Sequence, residues 1–245
     1  DTPAWKAGLK VNDKIVKINK ELTRDMTLTE VVKRLRGRPG EAVDLIVLRE
    51  SEKRLIEFKI VRDVIKVKYV KEAKVLEEGI AYIRMVEFGE NTAKELEEAL
   101  DSLRKSELSG IILDLRNNPG GLLDSAVRVA GNFLEKGKLV VYTKGRKESQ
   151  DLKFFSEGRR PITELPMAVL INEGSASGSE IVAACLQDYK RAIIVGAKSF
   201  GKGSVQTVVP LSDGSAISLT TSAYFTPLGR QINNKGVMPD IAVEE

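Results

Sequence analysis

Apolar and polar positions along this chain keep two periods, and the switches between them mark out its elements. Near the start, Pro3–Gly8 suits a short helix stopped by glycine, and Ile15–Ile18 is a β run. Thr27–Leu35 carries Leu28, Val31, Val32 and Leu35 at helical spacing. The turn Gly37–Gly40 leads into two further β runs, Val43–Leu48 and Leu55–Ile60. Beyond these, Ile65–Tyr69 and Ile80–Val86 read as strands, and Thr92–Lys105 as an amphipathic helix that turns Leu96, Leu100 and Leu103 inward. A strand (Gly110–Leu115), a turn (Asn117–Gly121), a helix (Leu122–Glu135) and another strand (Leu139–Tyr142) follow. Gln150–Pro166 is polar, holds two prolines and reads as a surface excursion. The apolar run Met167–Ile171 then breaks into the small-residue turn Asn172–Gly178. A helix pattern over Ser179–Tyr189, a β run at Ala192–Val195 and a loop at Gly196–Gly203 come next. Val205–Pro210, the turn Asp213-Gly214 and Ser215–Phe225 complete a hairpin.

These elements divide into a small module, residues 1–63, and a larger unit, residues 64–245. In the second, repeated βα units predict an α/β core on a largely parallel sheet. A net charge of +4 is spread through mixed runs such as Lys71–Glu78 and Lys94–Lys105, which describes a solvated surface and not a nucleic-acid stripe. The single Cys, Cys185, excludes a disulfide within the chain. No run approaches the roughly 18 apolar residues of a membrane helix. No signal-like segment opens the chain, and Asp1-Thr2-Pro3 reads as the interior of a longer protein.

One absence narrows the chemistry. The chain has no His, so a Ser-His-Asp mechanism is excluded within it, and a serine hydrolase here needs another base. Lysine is the known variant. Three loops follow strands: NNPGG (Asn117–Gly121), NEGSASG (Asn172–Gly178) and GAKSFGKG (Gly196–Gly203). In α/β sheets sites gather at such carboxyl ends, and Gly-Gly after Pro can present N–H groups to an oxyanion. Ser175, Ser177 and Ser179 compete as nucleophile, and spacing does not choose among them. Lys202 returns to the same sheet edge; to act as a base it needs burial beside Phe200 and the glycines. Two decoys fall away. Gly196–Gly203 nearly spells a P-loop, but Gly203 stands where the hydroxyl belongs and a strand follows. Ser102–Lys105 spells S-x-x-K at the polar end of a helix with no accompanying motif.

NEGSASGSEI and SFGKGSVQ (within Asn172–Gln206), LDLRNNPGGLL (Leu113–Leu123), YFTPLGRQI (Tyr224–Ile232) and KGVMPDI (Lys235–Ile241) together resemble the carboxyl-terminal processing peptidases, the tail-specific proteases of family S41. Ala4–Asn19, written A-x-x-A-G-L-x-x-x-D-x-I-x-x-I-N, resembles the second half of a PDZ domain whose first part, with its carboxylate-binding loop, is missing. The resemblance implies an α/β, ClpP/crotonase-like protease core with a partial PDZ domain, and endoproteolysis near the C-termini of protein or peptide substrates that end in exposed apolar residues. It implies Ser177 as nucleophile, Lys202 as general base and Gln206 as the residue that orients the lysine. Asp188 matches an acidic position implicated in some members, and Glu180 and Ser199 match supporting positions. The oxyanion hole would be N–H groups of Gly120 or Gly121 and of Gly178, where the family usually has Ala. No metal or organic cofactor is needed, nucleic acid is not a partner, and a homo-oligomer or a regulatory adaptor stays open. The family works outside the cytoplasm, in the bacterial envelope. Two rivals remain: a catalytically silent PDZ-based adaptor, and an acyl-CoA enzyme of the crotonase type.

Overall fold

Val43, Leu45, Val47 and Arg49 point inward at every second position of one strand, and that alternation builds the first unit. The structure is a computed structural model that describes residues 2–65, 68–158, 161–211 and 215–243. It forms two units, Asp1–Val67 and Lys68–Glu245. The first contains α1 (Pro3–Lys6), β1 (Lys14–Ile18), β2 (Glu21–Leu22), α2 (Leu28–Leu35), β3 (Ala42–Arg49) and β4 (Arg54–Val61). Its sheet is antiparallel in the order β2-β1-β3-β4. Ile18, Val43, Leu45 and Ile60 form the core, with Val31 and Leu35 of α2 against it. Thr27 and Glu30 cap α2 reciprocally: the Thr27 N–H donates to Glu30 Oε2 at 2.8 Å, and the Glu30 N–H donates to Thr27 Oγ1 at 3.3 Å. Arg49, the inward position that is not apolar, is met by Asp13 through two hydrogen bonds of 2.7 Å.

The second unit contains β5 (Val70–Val75), β6 (Ile80–Met85), α3 (Thr92–Leu103), β7 (Gly110–Asp114), α4 (Leu123–Gly131), β8 (Leu139–Gly145) and β9 (Lys153–Phe155). It continues through β10 (Met167–Ile171), α5 (Gly178–Asp188), β11 (Ile193–Gly196), β12 (Ser204–Pro210), β13 (Ala216–Phe225) and β14 (Ile241–Ala242). A six-stranded sheet runs β14-β11-β10-β7-β6-β5, parallel except for β5 at one edge. Ala81, Ile83, Met85, Ile111, Leu113, Val169 and Ile171 pack with the apolar sides of α3, α4 and α5 in one core. A second, antiparallel sheet runs β12-β13-β8-β9, with β8 against α4 and α5. The fold is mixed α/β, as the repeated βα pattern predicts. Among the described residues no helix is long and apolar enough to cross a membrane.

Three elements differ from the sequence reading. The first strand of the second unit is Val70–Val75 and not Ile65–Tyr69, of which 66–67 lie outside the described residues. Its sequence, VKEAKV, reads as a charge run because an edge strand leaves most positions in water. The polar stretch after Gln150 contributes a strand, β9, whose Phe154 is half-buried against the core. The helix predicted to Glu135 ends at Gly131, although Phe133 and Leu134 stay buried in the turns that follow. The hairpin turn Asp213-Gly214 lies outside the described residues, while the strands it would join pair from Ser204–Ala223 to Pro210–Ala216.

Candidate active site

Because β7, β10 and β11 are neighbours and parallel, the loops at their carboxyl ends emerge side by side. The loop after β7 and the loop after β10 are laced together by two asparagines. The side-chain oxygen of Asn118 accepts the Gly120 N–H at 2.9 Å, and that of Asn172 accepts the Gly174 N–H at 3.1 Å. These are paired Asx turns, each an Asn two residues ahead of a Gly. Asn172 Oδ1 also accepts the Asn117 N–H at 2.8 Å, and the Ala176 N–H donates to the Asn118 carbonyl at 3.0 Å. Asp114, at the end of β7, is fully buried and bound bidentately by Arg116, and the Tyr82 hydroxyl also donates to its Oδ2. Burial alone would raise the Asp114 carboxyl, but the Arg116 and Tyr82 hydrogen bonds outweigh it and hold the group below its ordinary value.

The three competing serines have different surroundings. Ser175 is buried, and its hydroxyl donates to the Leu115 carbonyl at 2.8 Å and accepts the Asn172 N–H at 3.0 Å. Ser179 is buried, and its hydroxyl donates to the Asn118 carbonyl at 2.9 Å. Both hydroxyls fasten one loop to the next. Ser177 alone is partly open to solvent. It holds φ 53° and ψ −111°, outside the regions an L-residue normally occupies, as the residue before α5. Such strain lifts a side chain at a strand–turn–helix junction clear of its neighbours. Beside it, among the described residues, the N–H groups of Gly178 and Gly121 have no hydrogen-bond acceptor, whereas Gly120 spends its N–H on Asn118. Gly178 opens α5, so its N–H carries the positive end of the helix.

Glu180, three residues into that helix, ties the turn to the third loop. It is fully buried, and its carboxylate accepts four donors. Oε2 takes the N–H of Ser177 at 2.9 Å and of Lys202 at 2.8 Å. Oε1 takes the Ser199 hydroxyl at 2.5 Å and the Gly201 N–H at 2.7 Å. Ser199, also buried, passes the connection on by accepting the Val237 N–H at 2.7 Å. One carboxylate thus brings the backbones of Ser177 and Lys202 to the same oxygen atom.

Of the remaining predicted residues, Lys202 reaches this turn through its backbone, while Gln206 and Asp188 find their partners elsewhere. The Lys202 side chain is exposed, and its neighbour Phe200 is 69% exposed, so the burial expected around the lysine is not met. Glu180 fixes the Lys202 backbone, and the side chain is in contact with solvent just before the loop enters β12. Gln206 is exposed on β12, where its side chain accepts the Ser218 hydroxyl at 3.5 Å. Asp188 ends α5, about 15 Å of helix beyond Ser177. There it pairs with Arg230 and accepts the Leu228 N–H at 2.8 Å. The spacing of Asn118 and Asn172 to their glycines went unread in the sequence, although the N-x-G pattern carries that signal. Among the described residues no group of three or more Cys, Asp or Glu is arranged to hold a metal ion.

The model for peptidase family S41 matches residues 79–243, and a PDZ domain model matches residues 1–49. The chain is 45% identical over 249 residues to a carboxy-terminal-processing protease of Bartonella bacilliformis, covering 100% of this chain and 57% of that protein. It is 40% identical over 243 residues to a probable CtpA-like serine protease of Staphylococcus epidermidis, covering 99% and 49%. The chain spans about half the length of the curated relatives it matches. Among solved structures, a photosystem II D1 C-terminal processing protease superposes with a TM-score of 0.65 at 31% identity, over 99% of this chain and 66% of that one. A putative S41 protease from Bacteroides fragilis shares the fold, with a TM-score of 0.64 at 18% identity over 99% and 68%.

Proposed function

We propose, for a chain that belongs to peptidase family S41, that it is the catalytic part of a serine endopeptidase that cuts polypeptides near their C-termini. The observation that carries the reading is the turn at Ser177. A strained, partly open serine precedes a helix whose first N–H is unpaired, beside a second unpaired N–H at Gly121. In the reaction, neutral Lys202 takes the Ser177 hydroxyl proton while Oγ bonds to the scissile carbonyl carbon. The tetrahedral oxyanion rests on the Gly178 and Gly121 amides. The C–N bond then breaks as Lys202 returns its proton to the leaving amine. Water, deprotonated by the same lysine, attacks the acyl carbon, the bond to Oγ breaks, and Lys202 gives its proton back to Ser177 Oγ as the acid is released.

A lysine becomes a base near neutral pH when it is taken out of water. Because the Lys202 side chain is exposed, the mechanism requires a bound polypeptide to cover it. The same exposure is the observation that favours the rival reading, a silent adaptor working through its PDZ module. PDZ-assisted recognition and work outside the cytoplasm belong to the proposal and rest on family likeness. The test is incubation of the chain and its Ser177→Ala variant with an unfolded protein ending in apolar residues, with products read by mass spectrometry. Fragments made by the wild type alone support the reading. If no fragments form, and a fluorophosphonate probe fails to label Ser177, the adaptor stands instead.

A further inference from the structure

The strand pair that begins two residues after Lys202 carries a surface the peptidase chemistry does not use. β12 and β13 form a ribbon whose register sets Thr207 opposite Leu219 and Val209 opposite Ile217. The Thr207 and Thr221 hydroxyls lie 2.9 Å apart, so Ile217, Leu219, Thr221 and Ala223 share one face with Thr207 and Val209. The alternate positions Ser222 and Tyr224 turn into the core. The open face is apolar along its outer half: Val209 is 41%, Ile217 45% and Leu219 50% exposed. At its inner end it meets a groove of about 510 Å³ walled by Ser204 and Asn233 on one side and by Lys144, Arg146 and Lys147 on the other. Asn233 is joined to the site loop by the Gly203 N–H at 3.3 Å.

The groove's charge is one-sided. Among the described residues no carboxylate lines it. Among the described residues, Lys144, Arg146 and Lys147 take part in no ion pair. The Asp151 carboxylate beside them accepts the Gly145 N–H, and Glu148 stands outside the groove. A solvated lysine is ordinary. Three cations without a carboxylate partner along one wall, on a ribbon about 20 Å long whose outer half is aliphatic, are a matched pair of features. A single terminal carboxylate would occupy one of the cations; three call for a run of acidic side chains.

We propose that this face is a docking strip for an extended polypeptide segment in which an acidic run adjoins an apolar one. Its Asp or Glu side chains would meet Lys144, Arg146 and Lys147, and its apolar side chains would lie on Leu219, Ile217 and Val209. The proposal rests on the peptidase reading in making that polypeptide the substrate, and it predicts which segments are drawn toward Ser177.

The test uses the whole chain carrying Ser177→Ala, so that nothing is cleaved. Two fluorescein-labelled peptides, both amidated at the C-terminus, carry three Glu next to alternating Leu and Val, or three Gln in the same places. Fluorescence anisotropy at low salt should show the Glu peptide binding at least about tenfold tighter. The triple variant Lys144→Gln, Arg146→Gln, Lys147→Gln should bring the two within about twofold, and Leu219→Ser should weaken both alike. An unchanged preference in the triple variant, equal binding of the two peptides, or equally tight competition by a single-stranded oligonucleotide would overturn the strip. Fluorophosphonate labelling of Ser177, measured in the triple variant without the Ser177→Ala change, should match the wild type. Labelling without peptide discrimination defeats the strip alone; discrimination without labelling defeats the nucleophile alone.

Discussion

A Cβ placed on Gly120 would fall 2.7 Å from the Cβ of Ser177 and 2.5 Å from the Ala176 carbonyl oxygen. Gly120 also holds φ +94°, a conformation that favours glycine. The NPGG loop is therefore the surface on which the serine turn rests. Gly120→Ala is expected to cost about 1–3 kcal/mol of stability and to lower Ser177 acylation at least about 100-fold. Thermal unfolding and probe labelling measure the two separately. Near-normal acylation would show that the turn does not depend on this contact.

Glu180 supplies the second support. Gln in its place keeps the shape but turns an NH2 group toward two of the four donors. Glu180→Gln should destabilise the second unit by about 3 kcal/mol, and cleavage should fall further than the loss of folded protein explains. Ser199→Ala removes one donor and strands the Val237 N–H, for about 1–2 kcal/mol. Urea unfolding curves rank the two, and a Ser199→Ala effect larger than that of Glu180→Gln would contradict the carboxylate as the hub.

Much of this was legible beforehand, for identifiable reasons. Buried parallel strands such as Met167–Ile171 are continuous apolar runs, and helices such as α3 keep their period, so the core of the second unit could be read directly. β5 could not, because an edge strand of Lys and Glu has no buried face to write into its sequence. The three serines were indistinguishable by spacing, since what separates them is long-range: the Leu115 and Asn118 carbonyls, some 60 positions upstream, claim Ser175 and Ser179. Asp188 and Gln206 were carried by likeness alone, and their hydrogen bonds lie elsewhere, with Arg230, Leu228 and Ser218.

Acid should affect the first unit through Asp13. The Arg49 hydrogen bonds lower its carboxyl to about 2, against about 3.9 in an unfolded chain. A group depressed on folding contributes stability above its unfolded value and loses it as pH falls through its folded value. The contribution is thus complete above about pH 4 and fades toward pH 2. Asp13→Asn should flatten that part of the stability profile of the first unit and lower its plateau at neutral pH. An identical acid profile in the variant would mean that Asp13 does not carry the dependence.

Cys185 offers a probe of the helix that begins at Gly178. Its side chain is fully buried, and burial pushes the thiol well above its ordinary value, with the nearby Asp188 charge adding to the effect. The thiolate is the reactive form, so burial and the raised value both protect the group. In the folded chain a disulfide reagent should react at least about 1,000-fold more slowly than with free cysteine, and in concentrated guanidinium it should titrate one thiol per chain. Slow labelling that tracks global unfolding would show that α5 opens only with the whole unit, keeping the Ser177 turn assembled between turnovers. Fast labelling below the unfolding transition would reveal a local opening of α5. The unpaired Gly178 amide would then be organised only part of the time, and polypeptide binding would have to order the helix before acyl transfer.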